Sequence, residues 1–283
     1  MAFQTQQISD YGTTNPIVAR LSLQTTELSK FYSISEKQKE ELFGIMFSEV
    51  QPKLMICFRI KEHLTAEIRA HQKSVEEKGL NFQAQGRAYT LPSILELRHH
   101  AETFLYNAKS ALRDFTAVFL VLFAKDFKKE ARFDKVLKWA KDQFGNEDIL
   151  SKALEEDQAT WIAKIVKMRN AVEHPGGYSG VLHIENFTGR EKESVVVVTE
   201  PVWHLNSDPK TRIAHEMDVM VTNLLSFFEE TLLLCLGKFP SPFPIAVQEI
   251  PESERDPKCP LRFRMVMNMA ELNSQSGGRL GSK

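Results

Sequence analysis

Cysteine is scarce: Cys57, Cys235 and Cys259 are the three thiols in 283 residues, and no two of them stand at CxxC spacing. An odd, dispersed set argues against a disulfide framework and carries no zinc signature, and it fits a reducing compartment. Gly-x-Gly-x-x-Gly, Walker A, Gly-x-Ser-x-Gly and HExxH segments are all missing, which removes the common signatures of dinucleotide binding, P-loop chemistry, serine hydrolysis and zincin activity. Charge of one sign is missing too. Lys plus Arg number 36 against 37 Asp plus Glu, a formal net charge of −1, so any contact with nucleic acid has to come from a local basic patch. Phe115 to Ala124, an apolar stretch flanked by Asp114 and Lys125, is too short to span a bilayer. Met1 to Thr14 is polar and lacks the pattern of a signal peptide. These absences predict a cytoplasmic protein with no membrane contact.

What is present is ordinary for a folded chain: 42% hydrophobic and 26% charged residues, enough for a substantial core. The length suits one large domain or one domain with an insertion. Residues 1–34 lack clear periodicity and read as an N-terminal arm. Ser35 is a plausible N-cap for a helix in which Leu42, Ile45, Met46, Leu54, Ile60, Leu64 and Ile68 recur at helical spacing, with Pro52 expected to kink or divide it. A second long helix is expected over about 92–127, apolar almost all round in its later half, and a shorter one over about 130–143, ended by Gly145-Asn146.

From about Glu147 to Glu173 the stripe Leu150, Leu154, Trp161, Ile165, Met168 and Val172 predicts another helix, with Trp161 in the core. Two strand-like runs follow, Val181 to Phe187 and Ser194 to His204, joined by Thr188 to Glu193 into a hairpin. A last helix is expected over about 209–237. Beyond it lies a Pro-rich tail, residues 238–283, with one short strand at Leu261 to Met267 and a Gly/Ser-rich end.

The segment richest in chemistry is Arg169-Asn170-Ala171-Val172-Glu173-His174, closing the predicted helix just before Pro175-Gly176-Gly177. Proline disfavours helical backbone at the residue before it, so His174 should sit where the helix opens out. On a helix turning about 100° per residue, Arg169 and Glu173 share one face, and Asn170 and His174 share the next. Lys164 and Lys167 add charge on the same turns and supply a local basic patch. Imidazole can act as acid or base near neutrality. Guanidinium stays charged and grips phosphate oxygens as a fork.

The Arg-Asn-x3-His pattern resembles the Arg-x4-6-His motif of the HEPN superfamily (higher eukaryotes and prokaryotes nucleotide-binding domain), over about residues 92–237. The resemblance implies a mainly α fold, an antiparallel helical bundle over 35–237 with a β-hairpin inserted at about 180–204. It implies a metal-independent RNA endonuclease of the toxin-antitoxin or phage-defence kind, with RNA as substrate and no cofactor. Arg169 and His174 would be catalytic, Asn170 would position the imidazole or the phosphate, and Lys164 and Lys167 would bind RNA. Cleavage would leave 2′,3′-cyclic phosphate and 5′-hydroxyl ends. One His cannot easily be both acid and base, so a homodimer through the motif helix is implied, and an antitoxin or activator protein is a further expected partner. HEPN domains also include non-catalytic modules that bind nucleotides or proteins, the alternative reading.

Plainer readings stand beside these. Arg169 and Glu173 form an i,i+4 pair that can be a surface salt bridge, and His174 can serve as a helix C-cap. Glu96, His99 and His100 invite a di-metal reading, but a second Glu-x-x-His is missing, so a solvated helical face is expected there and no metal.

Overall fold

A computed structural model describes residues 11–83, 88–128, 132–192 and 195–268; the polar start and the Gly/Ser-rich end fall outside them. The chain is 60% helical and 14% strand, so the fold is mainly α with small antiparallel sheets. In chain order the helices are α1 (Pro16–Val18), α2 (Thr25–Ser29), α3 (Glu36–Gly44), α4 (Gln51–Lys78), α5 (Leu97–Phe115), α6 (Ala117–Phe123), α7 (Phe133–Phe144), α8 (Ile149–Asp157), α9 (Ala163–Glu173) and α10 (Ile213–Leu236). The strands are β1 (Asn81–Gln83), β2 (Ala88–Thr90), β3 (Leu182–Glu185), β4 (Thr188–Lys192), β5 (Val195–Thr199), β6 (Val202–Leu205), β7 (Thr211–Arg212), β8 (Ile245–Glu249) and β9 (Phe263–Met267).

The contacts fall into two units, one of Met1–Pro52, Arg113–Leu154 and Leu225–Lys283, the other of Lys53–Leu112 and Glu155–Leu224. In the first, the segment without clear periodicity turns out to be helical from Pro16 to Ser29, through a π-helical stretch at Ala19–Gln24. Asn15 caps it by accepting from the Ile17 N–H at 2.9 Å, and Pro16 fits the first turn because its missing N–H needs no partner there. Ile17, Leu21 and Leu28 are buried. Ser35 caps the start of α3, as the sequence leads one to expect, and Gln38 completes a capping box with it. The chain stays helical through Pro52 because a π-helical stretch, Ile45–Val50, immediately precedes α4; the wider turn relieves the clash of the ring with the preceding carbonyls. Phe115, Phe119, Phe133, Phe227 and Phe228 form an aromatic cluster, with Phe115–Phe228 centroids 5.0 Å apart and Phe133–Phe227 5.2 Å apart.

At the polar centre of this unit lies Glu229, 1% exposed. Arg20 grips it with both a terminal nitrogen and Nε, Arg262 reaches it at 2.9 Å, and Gln24 Nε2 donates to it at 2.8 Å. The same Gln24 side chain accepts from the Arg262 and Phe263 backbone N–H groups at 2.7 and 2.8 Å. The Pro-rich tail is thereby tied down as a two-stranded antiparallel sheet, β8 with β9, one strand more than its composition predicts.

In the second unit α4, α5, α9 and the first half of α10 supply the buried residues Leu64, Phe104, Leu105, Ala108, Ile165, Met168 and Met217. The helix before the motif is not uniform. Gln158–Ile162 is π-helical, which rotates the face: Ile162 is buried, while Trp161, expected in the core, is half-buried and donates its Nε1–H to Asp157 at 2.7 Å. The hairpin is longer than expected. β3 pairs with β6 and β4 with β5 in one unslipped register interrupted at 186–187 and 200–201, so Thr188–Lys192 is strand and not connector. β7 adds a third strand beside β6. Trp203 on β6 is fully buried, its ring edge-on to Phe104 at 6.5 Å.

By length and composition α10 is apolar enough to cross a bilayer, but 61% of its most apolar window is buried in the protein, the behaviour of a core helix.

Replacing Glu229 with Gln leaves the 11%-exposed Arg20 guanidinium without its counter-ion, and we expect a loss of about 3–5 kcal/mol in urea unfolding, the range for breaking a buried pair from one side. Acid should free the tail before it unfolds the helices. Arg262 holds the Glu249 carboxyl below its ordinary value by direct hydrogen bonding. A depressed folded pKa contributes stability that is whole above about pH 4.3 and lost as pH falls through the lower folded value. Hydrogen exchange of Ile245–Met267 against pH measures this, and protection that stays level from neutrality into strong acid refutes it.

Candidate functional site

Helix α9 stops at Glu173. His174 has φ −133° and ψ 72°, outside the helical region, and its N–H still donates to the Asn170 carbonyl at 2.9 Å. This is the opening that Pro175 dictates. The turn that follows is fixed by backbone bonds: Gly177 N–H to His174 O, Gly176 N–H to Gly180 O and Gly180 N–H to Gly177 O, each 2.9 Å. Gly177 packs so closely on the histidine that a Cβ there would lie 3.0 Å from the His174 carbonyl oxygen and 3.3 Å from its Cβ. Gly180 has φ +81°, and a Cβ on it would overlap the Asn206 side chain at 1.9 Å. Asn206 itself, at φ 52°, accepts from Val181 N–H at 2.9 Å and so holds the turn to the sheet.

The histidine backbone is thus firmly placed while its ring is exposed and has no hydrogen-bond or ion-pair partner among the described residues. Tyr178, three residues into the loop, is fully exposed.

Arg169 is placed differently. Its side chain is 11% exposed, with Nη2 2.9 Å from Glu173 Oε1 and the guanidinium 5.2 Å from the Tyr106 ring centroid. The cation–aromatic contact and the i,i+4 pair hold it from two sides. Its Nη1 is buried and unpaired, and a buried N–H without a partner costs about 1–3 kcal/mol.

Lys109, on α5, joins the two faces of the motif. Its Nζ donates to Asn170 Oδ1 at 2.7 Å and lies 3.3 Å from Glu173 Oε2. Arg169, Asn170 and Glu173 are therefore brought together, with Asn170 turned to Lys109. Lys167 is exposed on the same helix. Lys164 is not part of this group: it pairs with Glu216, which also accepts from Trp203 Nε1 and Thr211 Oγ1. Two cations, Arg169 and Lys109, thus stand around one carboxylate. Lys109 and Tyr106 escaped the sequence reading because nothing in their spacing links α5 to α9, and on a helix that also carries Arg98, Glu102 and Arg113 a single Tyr and Lys do not stand out.

His63, His99 and His100 do meet, with His63–His100 centroids 5.0 Å and His99–His100 centroids 6.1 Å apart. Burial, with the neighbouring His63 and His99, lowers the His100 pKa from its ordinary value. Among the described residues no group of three or more His, Cys, Asp or Glu is arranged to hold a metal ion.

The chain matches no protein-family profile, no curated protein and no solved structure. The site therefore has to be judged on its own geometry, and the turn after His174 is the part most exposed to test. Gly180→Ala forces both a left-handed backbone and a steric overlap; we expect a loss of at least about 1 kcal/mol in thermal or urea unfolding. Gly12→Ala, at a glycine where an added Cβ meets nothing, serves as the comparison and should change stability little.

Proposed function

We propose that the chain is a metal-independent RNA endonuclease of HEPN type, its helices α4, α5, α9 and α10 forming the family's antiparallel bundle with the hairpin inserted between α9 and α10. The observation that carries this reading is the end of α9, where an exposed, uncommitted imidazole follows one turn after a guanidinium and an amide, next to a second cation from α5. A base takes the proton from the 2′-oxygen as that oxygen attacks phosphorus, and an acid gives a proton to the departing 5′-oxygen. The products are a 2′,3′-cyclic phosphate and a 5′-hydroxyl. Arg169 stabilises the extra charge on phosphorus, and Asn170 positions Lys109 or the phosphate. Two His174 rings across a twofold axis divide the acid and base roles, which makes dimerisation part of the mechanism. Lys167 attracts the backbone, and the exposed Tyr178 and half-exposed Tyr106 offer faces on which bases stack. Lys164, paired with Glu216 and 41% exposed, adds positive charge one turn further back on the same helix. An activity of this kind fits a toxin or defence nuclease held by an antitoxin or activator.

The burial of Arg169 favours a second reading. A guanidinium 11% exposed and paired with Glu173 also suits a non-catalytic module of the same fold that binds a nucleotide or a protein.

Cleavage of mixed cellular RNA in EDTA decides between them. We expect fragments with cyclic-phosphate ends from the wild type, and a fall of at least about a hundredfold for His174→Ala, the usual worth of a general acid or base. Arg169→Ala should also lose activity. A folded dimer that cuts nothing moves the assignment to the binding module.

A further inference from the structure

Glu173 is an anion caught between cations of two helices, one carboxylate oxygen 2.9 Å from Arg169 Nη2 and the other 3.3 Å from Lys109 Nζ. A carboxylate and a phosphodiester offer the same face to such a pair, two acceptor oxygens for a guanidinium fork and an ammonium. The carboxylate engages one side of the guanidinium alone, since Arg169 Nη1 is buried and unpaired. Lys109 is aimed independently of Glu173, through its 2.7 Å hydrogen bond to Asn170 Oδ1. Glu173 itself is 39% exposed, and ion pairs at that exposure are weak enough to yield to a competing anion.

We infer that the Glu173 carboxylate stands in for a phosphate: Arg169 and Lys109 form an anion seat for one phosphodiester of single-stranded RNA, and Glu173 fills that seat until the RNA displaces it. Lys109 is then a phosphate-binding residue, and Glu173 a built-in competitor that lowers affinity for any single phosphate. The identity of the ligand rests on the nucleic-acid reading above; the geometry of the seat does not. Displacement moves one side chain and leaves the helix in place, because Glu173 is the last residue of α9 and its backbone precedes the turn that holds His174.

Binding of a fluorescein-labelled 2′-O-methyl oligoribonucleotide of mixed sequence, which lacks the attacking hydroxyl, tests this on the full chain without cleavage. Glu173→Gln should bind about three- to tenfold more tightly than wild type, the size of two partly exposed ion pairs released. Lys109→Met should bind less tightly, and in its background the gain from Glu173→Gln should shrink, since the two changes act on one seat. Glu77→Gln, which removes an exposed carboxylate from the Lys73 pair on α4, should leave affinity unchanged. Circular dichroism confirms folding, and Lys109→Gln replaces Lys109→Met if the latter fails to fold. The inference is overturned if Glu173→Gln binds no more tightly than wild type, if Glu77→Gln gains as much, if the gain persists undiminished without Lys109, or if no form binds. Coupled binding without any RNA cleavage retires the nuclease reading and keeps the seat. Cleavage without the coupling does the reverse.

Discussion

A carboxylate that is 1% exposed has to be neutralised where it stands, and Glu229 shows what that demands of the chain. Desolvating a charge costs several kcal/mol unless cations and hydrogen bonds replace the lost water. Glu229 obtains them from Arg20 and Gln24 near one end of the sequence and Arg262 near the other. The first helical segment and the tail sheet are held to the same point of α10 for that reason. Gln24 makes the arrangement directional: its amide nitrogen serves the carboxylate while its oxygen receives the first N–H groups of the tail strand. A plain apolar contact would place the tail but would not fix its register.

The same chemistry recurs around Glu173 with the opposite consequence, and exposure decides between them. Both carboxylates stand between two cations. Glu229 has lost its water, so removing it strands a buried guanidinium; Glu173, at 39% exposure, keeps part of its hydration and can trade partners. One network is a permanent joint and the other is exchangeable. Arg169 belongs to the exchangeable one although its own side chain is nearly buried, which leaves a charged group held in place by a weak partner and short of one hydrogen bond. Such an arrangement makes poor sense as a stabilising pair alone. It is better suited to a seat in which an outside anion can take the place of the carboxylate.

Periodicity read from the sequence locates α7, the helical run from Ile149 to Glu173 and α10 within a few residues, because each carries an apolar stripe at helical spacing, and Pro175 marks the end of α9 for a purely local steric reason. The features that escaped reading are set by long-range pairing. Helix Pro16–Ser29 turns Arg20 and Gln24 inward, polar residues that spoil a binary pattern until Glu229 is known to face them. Pro52 fails to break its helix because a π-helical stretch precedes it, and another such stretch exchanges Ile162 for Trp161 in the core. At the candidate site Arg169, Asn170 and His174 are legible as a motif, whereas Lys109 lies 61 residues from its Asn170 partner and no spacing rule reaches that far.

Placement and freedom are separated within the site itself. His174 has a fixed backbone and uncommitted ring nitrogens, because its backbone, not its ring, is what the protein holds. Three glycines make this affordable: Gly176 and Gly180 adopt left-handed backbone without strain, and Gly177 lets the chain close onto the His174 carbonyl where a larger residue would push it away. Arg169 has the reverse condition, a side chain fixed by Tyr106 and Glu173 on a regular helical backbone. In the proposed reaction the imidazole is therefore ready before RNA arrives and the guanidinium is not. The conformational step that precedes cleavage then falls on Glu173 leaving Arg169, and raising the concentration of any competing anion should affect that step before it affects the histidine.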